Sequence, residues 1–236
     1  MKPQLKKQWQ IPSEQNADFV CAMEDVLDVY ELAYDPKRPV IGFDEKPCQL
    51  IADVLTPIYP KVAKVGQVGN VTKIDSEYER LGSANLFGWV EPLTGKRDVW
   101  VTDTRTAIDY AYSLKRISEV FPDADKILIV QDNLNTHTKA SLYKAFDPPV
   151  ARDLAKRFEF HYTPKHGSWL NVQELEWSAL QRQALSQRIG DKERLKRMIV
   201  AWLEDRIKRS VTIDWQFTTL DARIKLKRLY PVIIDC

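Results

Sequence analysis

The sequence predicts an α/β fold, a mixed β-sheet with helices packed on its faces, and three observations carry that reading. Two short apolar runs, Val40–Phe43 and Ile127–Val130, have the texture of strands buried on both faces. Between them, Glu91-Pro92-Leu93-Thr94-Gly95-Lys96 reads as a turn joining two antiparallel strands. Beyond residue 162 the pattern shifts to long stretches with apolar residues at helical spacing. The order is strand, hairpin, helix, strand, helix, strand, helices, which suits a layered sheet with helices on it.

Each element has its own local reason. The first fourteen residues, basic and interrupted by Pro3 and Pro12, read as a linker. A helix is expected from Ser13 or Glu14 to about Tyr34, because Phe19, Met23, Val26, Leu27 and Tyr30 recur at helical spacing and Asp35-Pro36 stops it. Val40–Phe43 follows Pro39 as a strand, and residues 53–80 resist assignment. Ala84–Val90 and Asp98–Thr102 form the hairpin, and Ala107–Val120 is helical. Lys126–Gln131 is a buried strand. Thr138–Phe146 and Val150–Arg157 are helical, set apart by Pro148-Pro149, and Phe158–Tyr162 is a strand. Amphipathic helices are expected at about 169–187 and 191–209, with a final basic helix near 219–229. The domain reading is a linker and N-terminal helix (1–38), a main domain (39–210) and a basic helical tail (211–236).

Composition narrows the classes. The chain has 236 residues, is 44% hydrophobic and carries a net charge of +2, so it can bury a core but does not announce a nucleic-acid binder by charge alone. No apolar run is long enough for a bilayer, and the polar start has no signal-peptide core, so a soluble cytoplasmic protein is expected. Cys21, Cys48 and Cys236 have neither zinc nor disulfide spacing. Between residues 182 and 210, nine basic residues outnumber four acidic ones. That stretch is either a phosphate-facing surface or, the more ordinary reading, a solvated helix face.

Three carboxylates stand where chemistry could use them. Asp44 follows VIGF, Asp132 follows ILIVQ, and Glu174 lies near the start of a helix. In mixed α/β sheets the carboxyl ends of strands collect ligand groups, so the two aspartates can emerge at one edge. Cleaving a phosphodiester requires charge neutralised at phosphorus and an activated oxygen, which a pair of magnesium ions can supply. Magnesium takes few protein carboxylates, in an oxygen-only shell. Any one of the 33 acidic residues is more ordinarily a turn or cap residue, so the surrounding sequence decides.

The segments VIGFDEKPCQL, ILIVQDNLNTHT and YTPKHGSWLNVQELEWSALQRQ resemble the three acidic motifs of DDE transposases, in the bacterial insertion-sequence branch of the Tc/mariner superfamily. Asp44-Glu45 matches the first motif, Asp132-Asn133 with His137-Thr138 the second, and Leu170-Asn171 with Glu174 and Trp177 the third. The tail FTTLDARIKLKRLYP and the approach KKQWQIP with AMEDVLDVYELAYDP are similar too, so the resemblance runs nearly the whole length. It implies a ribonuclease H-like mixed sheet flanked by helices, with Asp44, Asp132 and Glu174 as catalytic, metal-holding residues. It also implies magnesium, with manganese as a substitute, and cleavage at transposon ends followed by 3′-hydroxyl strand transfer into target DNA at TA sites. The partners implied are transposon-end and target DNA and further copies of the chain in the synaptic complex. Two departures stand out. Forty-one residues separate Asp132 from Glu174, more than in eukaryotic members. The end-reading helix-turn-helix domains of this branch are not seen, so the chain reads as a fragment, a second reading frame or a product completed by frameshifting, with an upstream helix-turn-helix polypeptide as one candidate partner.

Neighbouring residues have weaker assignments. Glu176 competes with Glu174, but about 200° of helix rotation separates them, and the motif selects Glu174. Glu176 is expected at the surface or core edge, with Glu176→Gln a silent control. Glu45, on a strand, points away from Asp44 and makes a supporting contact. Asn133 and His137 could position a phosphate or water, and His137 could equally cap the next helix. Asn171 supports the third motif. Lys165, His166, Trp169 and Arg182 are candidate DNA contacts, while Trp89, Trp100, Trp177 and Trp202 are read as core. Two other functions remain compatible: a ribonuclease H-like nuclease that does not join, and an inactive remnant that binds DNA or assists assembly.

Overall fold

The structure, a computed structural model, describes Pro12, residues 14–55 and residues 76–232. Most of the expected linker, much of the unassigned stretch before residue 80, and Cys236 lie outside the described residues.

Helix α1 (Ala17–Tyr30) starts later than expected because Asn16 accepts the Phe19 amide and caps it. Strand β1 (Val40–Asp53) is far longer than its apolar beginning. It pairs antiparallel with β2 (Tyr78–Val90), which continues through the predicted turn into β3 (Arg97–Thr102). Helix α2 (Ala107–Val120) occupies the predicted interval, with Thr106 and Asp109 forming a reciprocal capping box. Strand β4 (Ile127–Gln131) runs parallel to β1, and β5 (Phe158–Tyr162) parallel to β4. The sheet order is β3-β2-β1-β4-β5, antiparallel on one side of β1 and parallel on the other.

Three expectations shift. Pro148-Pro149 does not separate two helices; it forms the first turn of α4 (Pro148–Arg157), where the missing amides have no helical partner to lose. The helix before it shrinks to a 3-10 turn and the short α3 (Leu142–Ala145). The helix expected at 169–187 is a 3-10 turn at Ser168–Leu170 followed by α5 (Gln173–Gln183), because Asn171 is extended and breaks the run. Helices α6 (Lys192–Lys208) and α7 (Thr219–Lys225) follow, with a 3-10 turn at Lys227–Leu229 after them.

Alternation along the strands sorts side chains onto two faces. Ile41, Phe43, Phe87, Trp89, Ile127 and Ile129 form one core with Tyr110 and Leu114 of α2 and Ala151 and Ala155 of α4. On the opposite face Leu50, Ala84 and Leu86 pack against Trp177 and Leu180 of α5 and Ile199 and Trp202 of α6. Leu128 and Val130 meet α1 and the C-terminal tail on that face. Each fully buried side chain of this size contributes about 1.5–3 kcal/mol of transfer free energy. No helix among the described residues is long and apolar enough to cross a membrane.

Candidate active site

The parallel register fixes the two aspartates. Gly42 is the last β1 residue paired with β4, opposite Val130. Two residues further along each strand stand Asp44 and Asp132. Asp132 therefore leaves the carboxyl end of β4, and Asp44, still inside the longer β1, stands beside it where the β1–β4 pairing stops. Glu174 lies in the first turn of α5.

Close backbone approach brings α5 to this edge. The Asn171 amide donates to the Phe43 carbonyl at 2.8 Å, and its Oδ1 accepts the Gln173 amide at 3.1 Å. One side chain thus ties β1, immediately before Asp44, to the start of the helix carrying Glu174. Gly42 makes room: a Cβ there would run into Val172 Cγ1 and sit 3.1 Å from the Gln173 amide nitrogen. Gly88, opposite Asp44 on β2, leaves space for the Trp177 ring, whose Cη2 would lie 2.6 Å from an added Cβ. Trp177 is core, as expected, yet its Nε1 donates to Asp44 Oδ2 at 3.0 Å. Asp44 Oδ1 accepts the Glu45 amide at 2.8 Å.

The acids sense one another. Burial, then Glu174 and Asp132, push the Asp44 carboxyl up to about 7, against the opposing hydrogen bonds from Glu45 and Trp177. Burial likewise raises Glu174; Lys46 opposes the rise and Asp132 adds to it.

Behind Asp132 lies a buried imidazole. His137 is fully buried, with Nδ1 2.5 Å from Asp132 Oδ1 as an ion-pair contact rather than an aligned hydrogen bond, and Nε2 3.7 Å from Glu45 Oε2. Its ring stacks on Tyr110 at 4.7 Å, and its carbonyl accepts from Gln131 and Tyr162. Burial works against its charge, but Asp132 and Glu45 outweigh it and hold the imidazolium up to about 9. His137 does not cap the following turn, which has no side-chain cap. Glu45 points away from Asp44 as expected, toward His137 and, at 3.4 Å, Arg105.

Glu176 corrects the sequence reading. It is 2% exposed, and its carboxylate meets Arg206 at 2.5 Å and Arg97 at 3.2 Å, both arginines being buried. It does face away from Glu174, but it is no surface residue, and Glu176→Gln cannot serve as a silent control. Burial pulls Arg97 below its ordinary pKa, with Glu176 opposing and Arg206 adding to the fall. Nothing local signals this cluster, because β3, α5 and α6 each supply one member.

The candidate DNA contacts separate. Asp132, exposed Asn133, and exposed Lys165 and His166 line a cavity of about 940 Å³ beside α1. His166 adopts a left-handed φ of 66° there. Trp169, expected outside the core, packs edge-on against Phe217 at 5.7 Å instead. Arg182 is exposed and bonded to Ser178. Much of the basic stretch is neutralised locally: Arg188 by Asp53, Lys192 by Asp103, Lys196 by Glu193 and Arg209 by Asp205.

Among the described residues, no group of three or more His, Cys, Asp or Glu side chains is gathered closely enough to hold a metal ion. The donor chemistry nonetheless suits a hard divalent cation. The set is carboxylate oxygen only, and a cation there would offset both the burial and the neighbouring acids that raise Asp44.

The sequence profile of the DDE superfamily endonuclease family matches residues 40–196. No curated protein matches the chain. Among solved structures, the Mos1 mariner paired end complex with Mn is similar at a TM-score of 0.53 and 17% identity, over 82% of this chain and 57% of that one. For the paired end complex with Mg the TM-score is 0.55 at 16% identity, over 98% of this chain and 69% of that one. The Mos1 transposase paired-end complex with left transposon end gives 0.53 at 16% identity, over 93% and 65%. The expected ribonuclease H-like α/β class holds. The chain spans 57% of the first of these Mos1 chains.

Proposed function

Because the chain belongs to the DDE superfamily endonucleases, we propose that it is the catalytic region of a Tc/mariner-type transposase, cutting DNA at transposon ends and joining the freed 3′-hydroxyl to target DNA at TA sites. The observation carrying this reading is the placement of Asp44 and Asp132 two residues beyond the last β1–β4 pair, with Asn171 tying β1 to the first turn of α5, which carries Glu174. Asp44, Asp132 and Glu174 hold magnesium or manganese. Such an ion, when bound, neutralises charge at phosphorus and activates the attacking oxygen. Trp177 and the Glu45 amide orient Asp44, while His137 holds Asp132 from behind. Asn133, Lys165 and His166 face the strand to be cut, and Lys165 contacts a phosphate. Transposon-end DNA, target DNA and further copies of the chain in a synaptic complex are the partners of this reading.

The test is supercoiled-plasmid nicking with magnesium or manganese, alongside insertion of a labelled oligonucleotide bearing a free 3′-hydroxyl. Asp44→Asn, Asp132→Asn and Glu174→Gln should each abolish both reactions while leaving thermal melts folded. The double variants should lose little more, because one ion site is lost in each case. Nicking without joined product would replace this reading with a plain nuclease. DNA binding without nicking would leave a binding remnant.

A further inference from the structure

The Arg97–Glu176–Arg206 cluster lies outside the candidate site, yet it grips the helix that carries Glu174. Glu176 Oε1 meets Arg206 Nη2 of α6, and Oε2 meets Arg97 Nη1 of β3. Arg97 is itself fixed, with Nε donating to the Gly95 carbonyl at 3.0 Å and Nη2 to the Val211 carbonyl just past α6. Two helical turns further along α5, Gln183 accepts from Trp202 Nε1 at 2.8 Å, and the Arg206 guanidinium lies over the Trp202 ring at 5.1 Å. Thus α6 holds α5 at two heights on one face. Two directional anchors on one face set a helix's rotation about its axis, which apolar contact alone sets less sharply.

We propose that Glu176 is a positioning residue: clamped by Arg97 and Arg206, it fixes the axial rotation of α5 and so delivers Glu174 to the edge shared by Asp44 and Asp132. This rests on the proposed role of Glu174. Glu176 and Glu174 are about 200° apart around the helix, so a rotation that loosens one swings the other. Trp177, about 100° round the same turn from Glu176, carries the hydrogen bond to Asp44. Slackening the clamp therefore disturbs two of the three acids together. Glutamine at 176 retains the shape but turns an amide group toward one guanidinium, leaving that arginine buried without its counter-charge.

The test uses the full chain in two variants. Glu176→Gln breaks the clamp. The triple variant Arg97→Met, Glu176→Leu, Arg206→Met replaces it with apolar groups, an exchange that commonly preserves folding. Plasmid nicking with manganese gives kcat and KM per folded molecule, and hydrogen exchange over residues 171–183 reports the holding of α5 without reference to activity. Both variants should show a kcat lower by about tenfold or more, with KM within about twofold, and faster α5 exchange than wild type. The triple variant should melt close to wild type. If Glu176→Gln does not fold, the triple variant decides alone. A folded triple variant with wild-type kcat and wild-type α5 exchange overturns the proposal and leaves the cluster a purely structural one. If the wild type itself does not nick DNA, the functional reading fails separately, and exchange decides the clamp: unchanged α5 exchange in the folded variants overturns it.

Discussion

The indole of Trp177 donates to Asp44 Oδ2 at 3.0 Å, from a ring that is otherwise core. One side chain therefore packs α5 over Gly88 and orients the acid beside it. Trp177→Phe keeps most of the packing and removes the donor. At pH 8, with Asp44 ionised, it should cost about 1.5–3 kcal/mol in urea denaturation, falling toward about 1 kcal/mol at pH 5. Trp177→Ala should cost more, about 3–5 kcal/mol. A Trp177→Phe variant as stable as wild type at pH 8 would mean that the hydrogen bond contributes nothing.

Asp44 makes the metal-free protein sensitive to pH. Its carboxyl rises from an ordinary 3.8 to about 7, so between those values the folded chain binds more protons than the unfolded one. Stability therefore falls as pH rises through that window and stays low above it. In chelator, Asp44→Asn should melt above wild type at pH 8, by an amount on the order of 2–4 kcal/mol at most. The gap should close by about pH 4. Melts across pH 4–8 check this, and a constant gap would contradict it.

His137 acts over a different window. Its imidazolium is held up to about 9 from an ordinary 6.5. The raised value contributes stability that is fully present below 6.5 and is lost as pH rises through 9. His137→Gln should lower the melting temperature at pH 6 and flatten the decline between about 6.5 and 9. An unchanged slope in the variant would remove His137 as its source.

Gly42 should tolerate no side chain. Gly42→Ala must move Val172 or the backbone of Gln173, and should cost about 1–3 kcal/mol. Because the same residues begin α5, nicking should fall more than stability does. Urea titration and nicking rates on the folded fraction test the pair, and a variant that loses stability alone would argue against the coupling.

Lys165 offers a phosphate test. Lys165→Ala should weaken plasmid or duplex binding similarly for all sequences and reduce the salt slope of log K by about 1. An unchanged slope would place Lys165 off the DNA.

Legibility followed the range of the forces involved. Helix α2 and strand β4 were readable because capping and apolar runs are local, and Asp44 and Asp132 were readable because each follows such a run. The start of α5 was misplaced because Trp169 and Leu170 continue the apolar texture, while the break at Asn171 depends on its bond to Phe43, far away in sequence. Glu176 looks like any helix-surface glutamate until Arg97 and Arg206 are brought to it. His137 does not make the cap its position suggests, because its partners Glu45 and Tyr110 come from elements folded over it. Gly42 and Gly88 are plain strand glycines in sequence; only the docked helix explains them.

The strand order carries a kinetic consequence. β1 pairs with β2 over twelve positions but with β4 over only three, and β4 lies far along the chain. Long-range parallel pairing of this kind forms late, after nearer contacts have closed. Glu174 arrives later still during synthesis, which proceeds from the N-terminus. A chain that has not yet reached α5 therefore holds Asp44 without Glu174. Under the proposed function, the three acids assemble only once β4 and α5 are in place, so the order of the strands along the chain ties reactivity toward DNA to completed folding.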